Sequence, residues 1–189
     1  MTYRPRARAR RPMWRTGLDA FGVVLITVLV AGSLDLLPAA WFTDNMQVVD
    51  GDSLRPADGS RDIRLQGIDA PELAQNCRDT NGHSYNCGRK AKAHLKAVIA
   101  GREIKCRTLN VDRYDRSLSI CSVGETELNR QMISDGWAVA YINHSAEYAR
   151  LEATAKATRK GIWQGEFDRP EEWRRLNPAT TVGNSFEPD

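Results

Sequence analysis

The 189-residue sequence lacks several features that would point to familiar classes of protein. It has no internal repeat and no low-complexity tract, which excludes the solenoid and other repeat architectures. Its four cysteines are separated by nine, eighteen and fourteen residues, so no pair has the Cys-x-x-Cys spacing that is typical of zinc sites. The length suits one domain of about 100 to 150 residues with appendages.

An excess of basic charge is also missing from most of the chain. The formal net charge is +3, but six of the 27 basic and two of the 24 acidic residues lie in the first forty positions. The remainder carries 21 basic and 22 acidic residues. Any attraction to nucleic acid must therefore come from the local placement of charges rather than from net charge.

The N-terminus combines a basic cluster with a long apolar run. Residues 1–19 contain six arginines and form a basic, cytoplasmic segment in this interpretation, while residues 20–40 carry only Asp35 as a charge. A helix of 21 residues spans about 30 Å, close to the thickness of a bilayer core. We predict a transmembrane anchor over 20–40; a signal peptide cleaved near the small residues 31–33 and a buried soluble helix are the alternatives.

An anchor or a signal peptide would export the domain. We therefore expect it at the bacterial inner membrane, facing the periplasm or extracellular space, or secreted after cleavage. Disulfides are expected in such an oxidising compartment, with unpaired buried cysteines as the alternative. If "EIKCRTL" and "SLSICSV" are antiparallel partners, Cys106 and Cys121 face each other across the hairpin, and Cys77 and Cys87 then pair by default.

Short strand-like runs separated by turns dominate the middle of the chain. Five runs, with a helix after the third and helices near the end, predict an α+β fold. We expect a five-stranded OB-type β-barrel with about three helices over residues 43–168, preceded by one N-terminal hydrophobic helix. The segment between Cys77 and Cys87 is predicted to be a loop. Residues 169–189 are predicted to be a largely disordered tail with one turn at "PEEWRR".

Five charged residues lie close to the apolar strand-like runs of residues 48–72, namely Asp50, Asp52, Arg64, Asp69 and Glu72. Burying charges costs free energy unless they are paired, solvated or bound to something. Taken alone, the run "DGD" is typical of a hairpin turn. Taken together, Asp52 and Asp69 can supply hard oxygen ligands to a calcium ion, and Glu72 can orient or deprotonate a water.

Two arginines complete this set. Arg64 lies on the polar face of the strand that leads to Asp69, and Arg116 lies in the loop of the next hairpin. Two guanidinium groups can hold one phosphate through paired hydrogen bonds. A metal, a base and a charge clamp are the components of phosphodiester hydrolysis.

The runs "VVDGDSL", "IRLQGIDAPE", "DRYDRSL", "GWAVAY" and "GIW" occur in this order between residues 46 and 163. This series resembles the thermonuclease, or staphylococcal nuclease-like, family of calcium-dependent phosphodiesterases. The resemblance implies three calcium ligands: Asp52, Asp69 and the carbonyl of Ala70. It implies that Arg64 and Arg116 bind the scissile phosphate and that Glu72 activates the attacking water.

Other positions acquire roles by the same resemblance. Asp50 would support the ion without necessarily touching it. Arg113, Tyr114 and Tyr141 would hold the terminal phosphate and sugar of a bound nucleotide, although Tyr141 alone would be interpreted as a core tyrosine. Many relatives have threonine where Ala70 stands, a change that a backbone ligand tolerates. The loop between Cys77 and Cys87 is absent from the simplest family members.

We therefore expect a monomeric enzyme that hydrolyses phosphodiester bonds in DNA and/or RNA with little sequence preference, outside the cytoplasm and with Ca²⁺ as cofactor. The main alternative is a non-catalytic OB-type nucleic-acid-binding module, and another is an adhesion or assembly factor that keeps only the fold. A pure binder has no need for Asp52, Asp69 and Glu72, because these carboxylates repel phosphate unless a cation intervenes.

Overall fold

The computed structural model of the protein describes residues 41–44, 46–141 and 145–178, with the backbone alone for 41–44. Its strands are β1 (Trp41–Asp44), β2 (Met46–Val48), β3 (Ser53–Pro56), β4 (Ile63–Leu65), β5 (Ile68–Asp69), β6 (Asn76–Arg78), β7 (Ser84–Asn86), β8 (Ile104–Val111), β9 (Ser117–Val123), β10 (Thr126–Glu127) and β11 (Val139–Ala140). Its helices are α1 (Cys87–Ile99), α2 (Leu128–Ser134), α3 (Ala146–Ala157), a 3₁₀ turn (Gly161–Gln164) and α4 (Pro170–Leu176).

One seven-stranded sheet forms the centre of the domain. Its strand order is β1-β8-β9-β4-β3-β2, and β10 pairs with β9. Neighbouring strands are antiparallel except β4 and β9, which run parallel. The five predicted strands correspond to β2, β3, β4, β8 and β9, and the α+β, OB-type fold is confirmed. The short strands β1 and β10 extend the sheet beyond the five expected strands.

The core lies between the concave sheet and helices α1 and α2. Alternation along β4 buries Ile63 and Leu65 on one face and leaves Arg64 on the other. Helix α1 directs Leu95 and Ile99 into the same core, as their spacing of four residues predicts. The polar face of β4 is therefore opposite the face that contacts the apolar core.

Both predicted disulfides are present. Cys106 and Cys121 are directly opposed on β8 and β9, with their Cα atoms 4.1 Å apart. Cys77 and Cys87 are also bonded, with a Cα separation of 5.6 Å. The segment between them is not the predicted loop, because β6 and β7 form an antiparallel hairpin within it. The second disulfide fixes this hairpin to the first residue of α1.

The C-terminal prediction needs a correction. Residues 170–176, assigned from the sequence to a largely disordered tail with one turn, form helix α4, and Trp173 on it is only 9% exposed. Pro170 begins the helix, acidic residues occupy its first turn and arginines its last turn, which matches the helix macrodipole. The tail after residue 178 lies outside the described residues.

The described part of the chain contains no helix that is long and apolar enough to cross a membrane. The predicted anchor or signal segment, residues 20–40, and the basic segment before it lie outside that part.

Candidate active site

The turn between β2 and β3 places Asp52 against the end of β5. The Oδ1 atom of Asp50 accepts a hydrogen bond from the Asp52 N–H at 2.9 Å, and the Asp52 carbonyl accepts one from the Leu65 N–H at 2.8 Å. A Cβ atom on Gly51 would lie 2.6 Å from the Cβ of Ala70, which is closer than real atoms approach. Glycine is therefore required for this contact, and Asp50 shapes the turn.

Arg64 bridges the two buried aspartates. Asp52 and Asp69 are 1% and 2% exposed, respectively. One terminal nitrogen of Arg64 donates to Asp52 Oδ1, and the other donates to Asp69 Oδ1 at 2.6 Å. The three side chains, which the sequence placed in a single site, thus form one ion-pair group on the polar face of β4.

Asp52 accepts a further hydrogen bond, from the backbone N–H of Ala70 to its Oδ2 atom at 2.6 Å. Burial raises the pKa of Asp52 well above its ordinary value, the Arg64 guanidinium opposes this shift, and the charges of Asp50 and Asp69 add to it. The environment of Asp52 therefore favours additional positive charge near its carboxylate.

The backbone of Glu72 is fixed by residues that the sequence analysis did not identify. The Glu72 carbonyl accepts the N–H of Gln75 at 2.7 Å, and the fully buried Gln75 side chain accepts the Glu72 N–H at 3.2 Å. A Cβ atom on Gly88 would lie 1.8 Å from the Glu72 carbonyl oxygen, so only glycine lets α1 begin here. In the sequence, Gln75 has no signal that distinguishes it from a surface glutamine.

Helix α4 contributes an arginine that the sequence analysis missed. One terminal nitrogen of Arg174 lies 2.9 Å from Asp69 Oδ1 and 2.7 Å from Glu72 Oε1, and the other lies 3.0 Å from Asp69 Oδ2. Hydrogen bonds to Asp69 and Glu72 raise the pKa of Arg174 despite its burial. The helix-start and helix-end signals of "PEEWRR" would have indicated the helix, but not its partners.

Arg116 lies in the loop between β8 and β9, where Asp112 holds it. The Arg116 Nε donates to Asp112 Oδ2 at 2.8 Å, and Asp112 Oδ1 accepts the backbone N–H groups of Tyr114 and Arg116. Asp112 was not among the predicted site residues. The spacing of four residues in "DRYDR" is the signal that could have identified this pair.

The pairing of β4 with β9 relates the two arginines. Arg64 is the partner of Leu118 in this parallel pair, and Arg116 precedes Leu118 by two residues. Arg116 is the last loop residue before β9, so this pairing brings it to the chain segment next to the strand that carries Arg64. That arrangement suits two guanidinium groups acting on one ligand.

Two of the three predicted nucleotide-binding residues are adjacent in the same loop. The side chain of Arg113 lies 4.8 Å from the ring centre of Tyr114 and donates to its hydroxyl at 2.7 Å, and Tyr114 is 65% exposed. Tyr141 is 48% exposed rather than in the core, and its N–H donates to the Gly67 carbonyl. This bond places Tyr141 beside β5, the strand that carries Asp69.

Comparison with known proteins identifies the family. The family model described as "Staphylococcal nuclease homologue" matches residues 62–165, which is more than half of the chain. The protein belongs to the staphylococcal nuclease family. The matched region of this staphylococcal nuclease homologue includes Arg64, Asp69, Glu72 and Arg116, whereas Arg174 follows it.

Several curated relatives are similar over most of this domain. The chain is 35% identical over 122 residues to the succinoglycan biosynthesis protein ExoI of Rhizobium meliloti, covering 63% of each chain. It is 30% identical over 116 residues to the probable staphylococcal-like nuclease CAN3 of Oryza sativa, covering 60% of this chain and 28% of CAN3. It is 27% identical over 136 residues to an uncharacterized endonuclease of Haemophilus influenzae, covering 69% and 71%. The chain thus spans less than two thirds of ExoI and of CAN3.

Membership of the staphylococcal nuclease family implies a calcium site. Within the described ranges, no three side chains of His, Cys, Asp or Glu are grouped so as to hold a metal. Two buried carboxylates, Asp52 and Asp69, and the adjacent Ala70 carbonyl are hard oxygen donors of the kind that calcium prefers. The donor chemistry fits a calcium ion, but Arg64 and Arg174 bond to the same carboxylate oxygens.

Proposed function

We propose that the protein is a calcium-dependent nuclease that hydrolyses phosphodiester bonds in DNA and/or RNA with little sequence preference. The observation that carries this proposal is the buried pair Asp52 and Asp69, bridged by Arg64, with Glu72 joined to the same group through Arg174. Buried carboxylates beside a phosphate site are unfavourable for a pure binder, whereas a cation-assisted hydrolase requires them.

Each side chain has a role in this reaction. Asp52, Asp69 and the Ala70 carbonyl would hold the calcium ion, which when bound supplies charge stabilisation to a phosphoryl oxygen. Glu72, whose side chain is 17% exposed, accepts a proton from the attacking water. Arg64 and Arg116 stabilise the negative charge that grows on the phosphate in the transition state.

The surface around this site favours contacts to the nucleic-acid backbone. Tyr114 offers an exposed ring on which a base or sugar can stack, and Arg113 and Arg116 lie beside that ring. Stacking and phosphate contacts carry little sequence information. Such contacts support activity on DNA and/or RNA with little sequence preference.

We further propose that the domain acts as a monomer outside the cytoplasm, anchored in the inner membrane or released from it. The basic segment before the apolar run 20–40 supports this topology, and two disulfides in the domain suit an oxidising compartment. A reporter enzyme that works only outside the cytoplasm, fused after Asp189, should be active. In a second fusion, the reporter enzyme works only in the cytoplasm. Activity of that reporter would contradict export.

The nuclease is tested by cleavage of labelled DNA and RNA oligonucleotides with the full chain. Wild type should cleave with calcium and stop when a chelator removes the ion. Glu72→Gln should lower turnover at least ~100-fold because it removes the proton acceptor. The matched control is Glu171→Gln, which changes an exposed glutamate on α4 and should be neutral. Binding without cleavage by the wild type would instead support the non-catalytic module.

A further inference from the structure

Arg174 donates hydrogen bonds to the Asp69 oxygen atoms that would coordinate a cation. Its two terminal nitrogens bond to both carboxylate oxygens of Asp69, and one of them also bonds to Glu72. A guanidinium group and a metal ion cannot both sit at the same face of one carboxylate at bonding distance. We propose that Arg174 competes with the cation for Asp69: it holds Asp69 and Glu72 when no cation is bound and leaves both when one binds.

The helix that carries Arg174 is firmly attached to the domain. Trp173 is buried, and the side chain of Gln75 donates to the Asp168 carbonyl at 2.7 Å, just before the helix begins. Arg169, at the N-terminal end of the helix, donates to the side chain of Glu152 at 2.8 Å and to the Ala140 carbonyl at 3.1 Å. The backbone of α4 therefore stays in place, and the exchange requires movement of one side chain.

Arg174, rather than Arg64, is the group that moves. The Arg174 side chain is 28% exposed and has a route to solvent, whereas Arg64 is 16% exposed and is held between two buried aspartates. Arg64 belongs to the central sheet through its pairing with Ser53 and Leu118. Arg174 reaches the site from a terminal helix, so its departure leaves the sheet intact.

The charges of the site fit such an exchange. Four acids, Asp50, Asp52, Asp69 and Glu72, face two arginines, Arg64 and Arg174, at this end of the sheet. Counted as formal charges, the group carries −2 while Arg174 is present and −3 once it has left. Departure of Arg174 therefore increases the attraction of the site for a divalent cation. The guanidinium sets the calcium affinity without being a ligand.

The inference rests on the proposed function because it takes Asp69 as a calcium ligand. It is tested by isothermal titration of calcium into the full chain and its Arg174→Gln variant, without nucleic acid. Competition predicts about 10-fold tighter calcium binding by the variant, the size of one charge-assisted hydrogen bond. A side chain that only supports the structure would give the opposite sign, since its loss would weaken binding.

Arg175→Gln is the matched control. This variant removes a guanidinium group from the same helix, but that group pairs with Glu172 rather than with Asp69. Because the pair is exposed, calcium affinity should stay within about 2-fold of wild type. Arg174→Lys keeps the charge but has no second nitrogen to form paired hydrogen bonds with Asp69, so it should bind calcium with intermediate affinity. This variant replaces Arg174→Gln in the test if the glutamine variant fails to fold.

Equal or weaker calcium binding by both Arg174 variants, with binding retained in the wild type, would overturn this inference alone. If neither the wild type nor any of the variants binds calcium, both this inference and the calcium dependence of the proposed nuclease are overturned.

Discussion

Two groups of arginine and aspartate, one around β4 and one in the loop before β9, differ in burial. The buried cluster consists of Asp52, Arg64 and Asp69, whose side chains are 1%, 16% and 3% exposed. The loop pair consists of Asp112 and Arg116, whose side chains are 15% and 32% exposed. The buried cluster joins the turn before β3, the middle of β4 and the end of β5, whereas the loop pair joins residues four positions apart.

This difference separates two ways of positioning a charge. An arginine in the buried cluster is held by the tertiary fold, and removing it leaves carboxylates without a partner in a dry environment. An arginine in the loop pair is held by local hydrogen bonds and remains near solvent, where the loss costs little. Both arginines can bind the same phosphate. Mutation of Arg64 should lower stability as well as activity, whereas mutation of Arg116 should lower activity alone.

The largest effect on stability is expected from Arg64→Ala. Breaking a buried ion pair by removing one partner costs about 3 to 5 kcal/mol in the free energy of unfolding. If calcium binds as proposed, it should restore part of this loss, because the ion would add positive charge beside Asp52 and Asp69. Urea denaturation with and without calcium measures both effects.

The matched control for Arg64→Ala is Arg55→Ala on the neighbouring strand β3. Arg55 pairs with Asp62 at 2.9 Å, but the two side chains are 48% and 33% exposed. Its removal should cost less than about 1 kcal/mol. Equal losses for the two variants would show that burial does not distinguish the cluster.

The next largest loss of stability is expected from removing the disulfide that joins β8 and β9, the two strands on either side of the loop pair. Cys106 and Cys121 are separated by 15 positions, and closing a loop of that size contributes about 3 kcal/mol in the chain-entropy model. The double variant Cys106→Ala with Cys121→Ala should lose about that much stability by urea denaturation. No loss would mean that the hairpin is held by its strand pairing alone.

Arg116→Ala should separate stability from activity. We expect a stability change below about 1 kcal/mol, since the loop pair is partly exposed, and a fall in turnover of about 100-fold, as for other charge donors to a transition state. The control is Arg61→Ala. Arg61 is exposed and pairs with Asp115, which lies in the same loop as Arg116. A stability loss as large as that of Arg64→Ala would contradict the comparison.

The smallest effect concerns Asp112 and pH. Burial alone would raise the pKa of Asp112, but hydrogen bonds from Arg116 and Tyr114 bring it below the ordinary value. The stability that the ionised group contributes is therefore complete above its unfolded pKa of about 3.9 and is lost as pH falls through the lower folded pKa. Wild type should exceed Asp112→Asn by less than about 1 kcal/mol at pH 6. A difference that stays constant down to pH 3 would exclude this linkage.

The range over which each contact acts determines what the sequence could predict. The alternation of β4 places Arg64 on the face opposite the apolar core, and hairpin symmetry opposes Cys106 to Cys121, so both could be predicted from neighbouring residues. Asp112 is equally local, but a spacing of four residues from an arginine does not by itself indicate a functional site. Arg174 lies 105 positions from Asp69. Such a contact depends on where a terminal helix docks, which local periodicity does not specify.

A double-mutant cycle on turnover tests most directly whether the buried cluster and the loop pair act on one phosphate. Arg64→Lys keeps the buried charge but loses the paired hydrogen bonds, and Arg116→Ala removes the second guanidinium. If both arginines hold the same phosphate, their effects are coupled, and the double variant should retain at least ~10-fold more activity than the product of the two single losses predicts. Losses that multiply to within about 2-fold would show that the two arginines act independently, contrary to the proposed site.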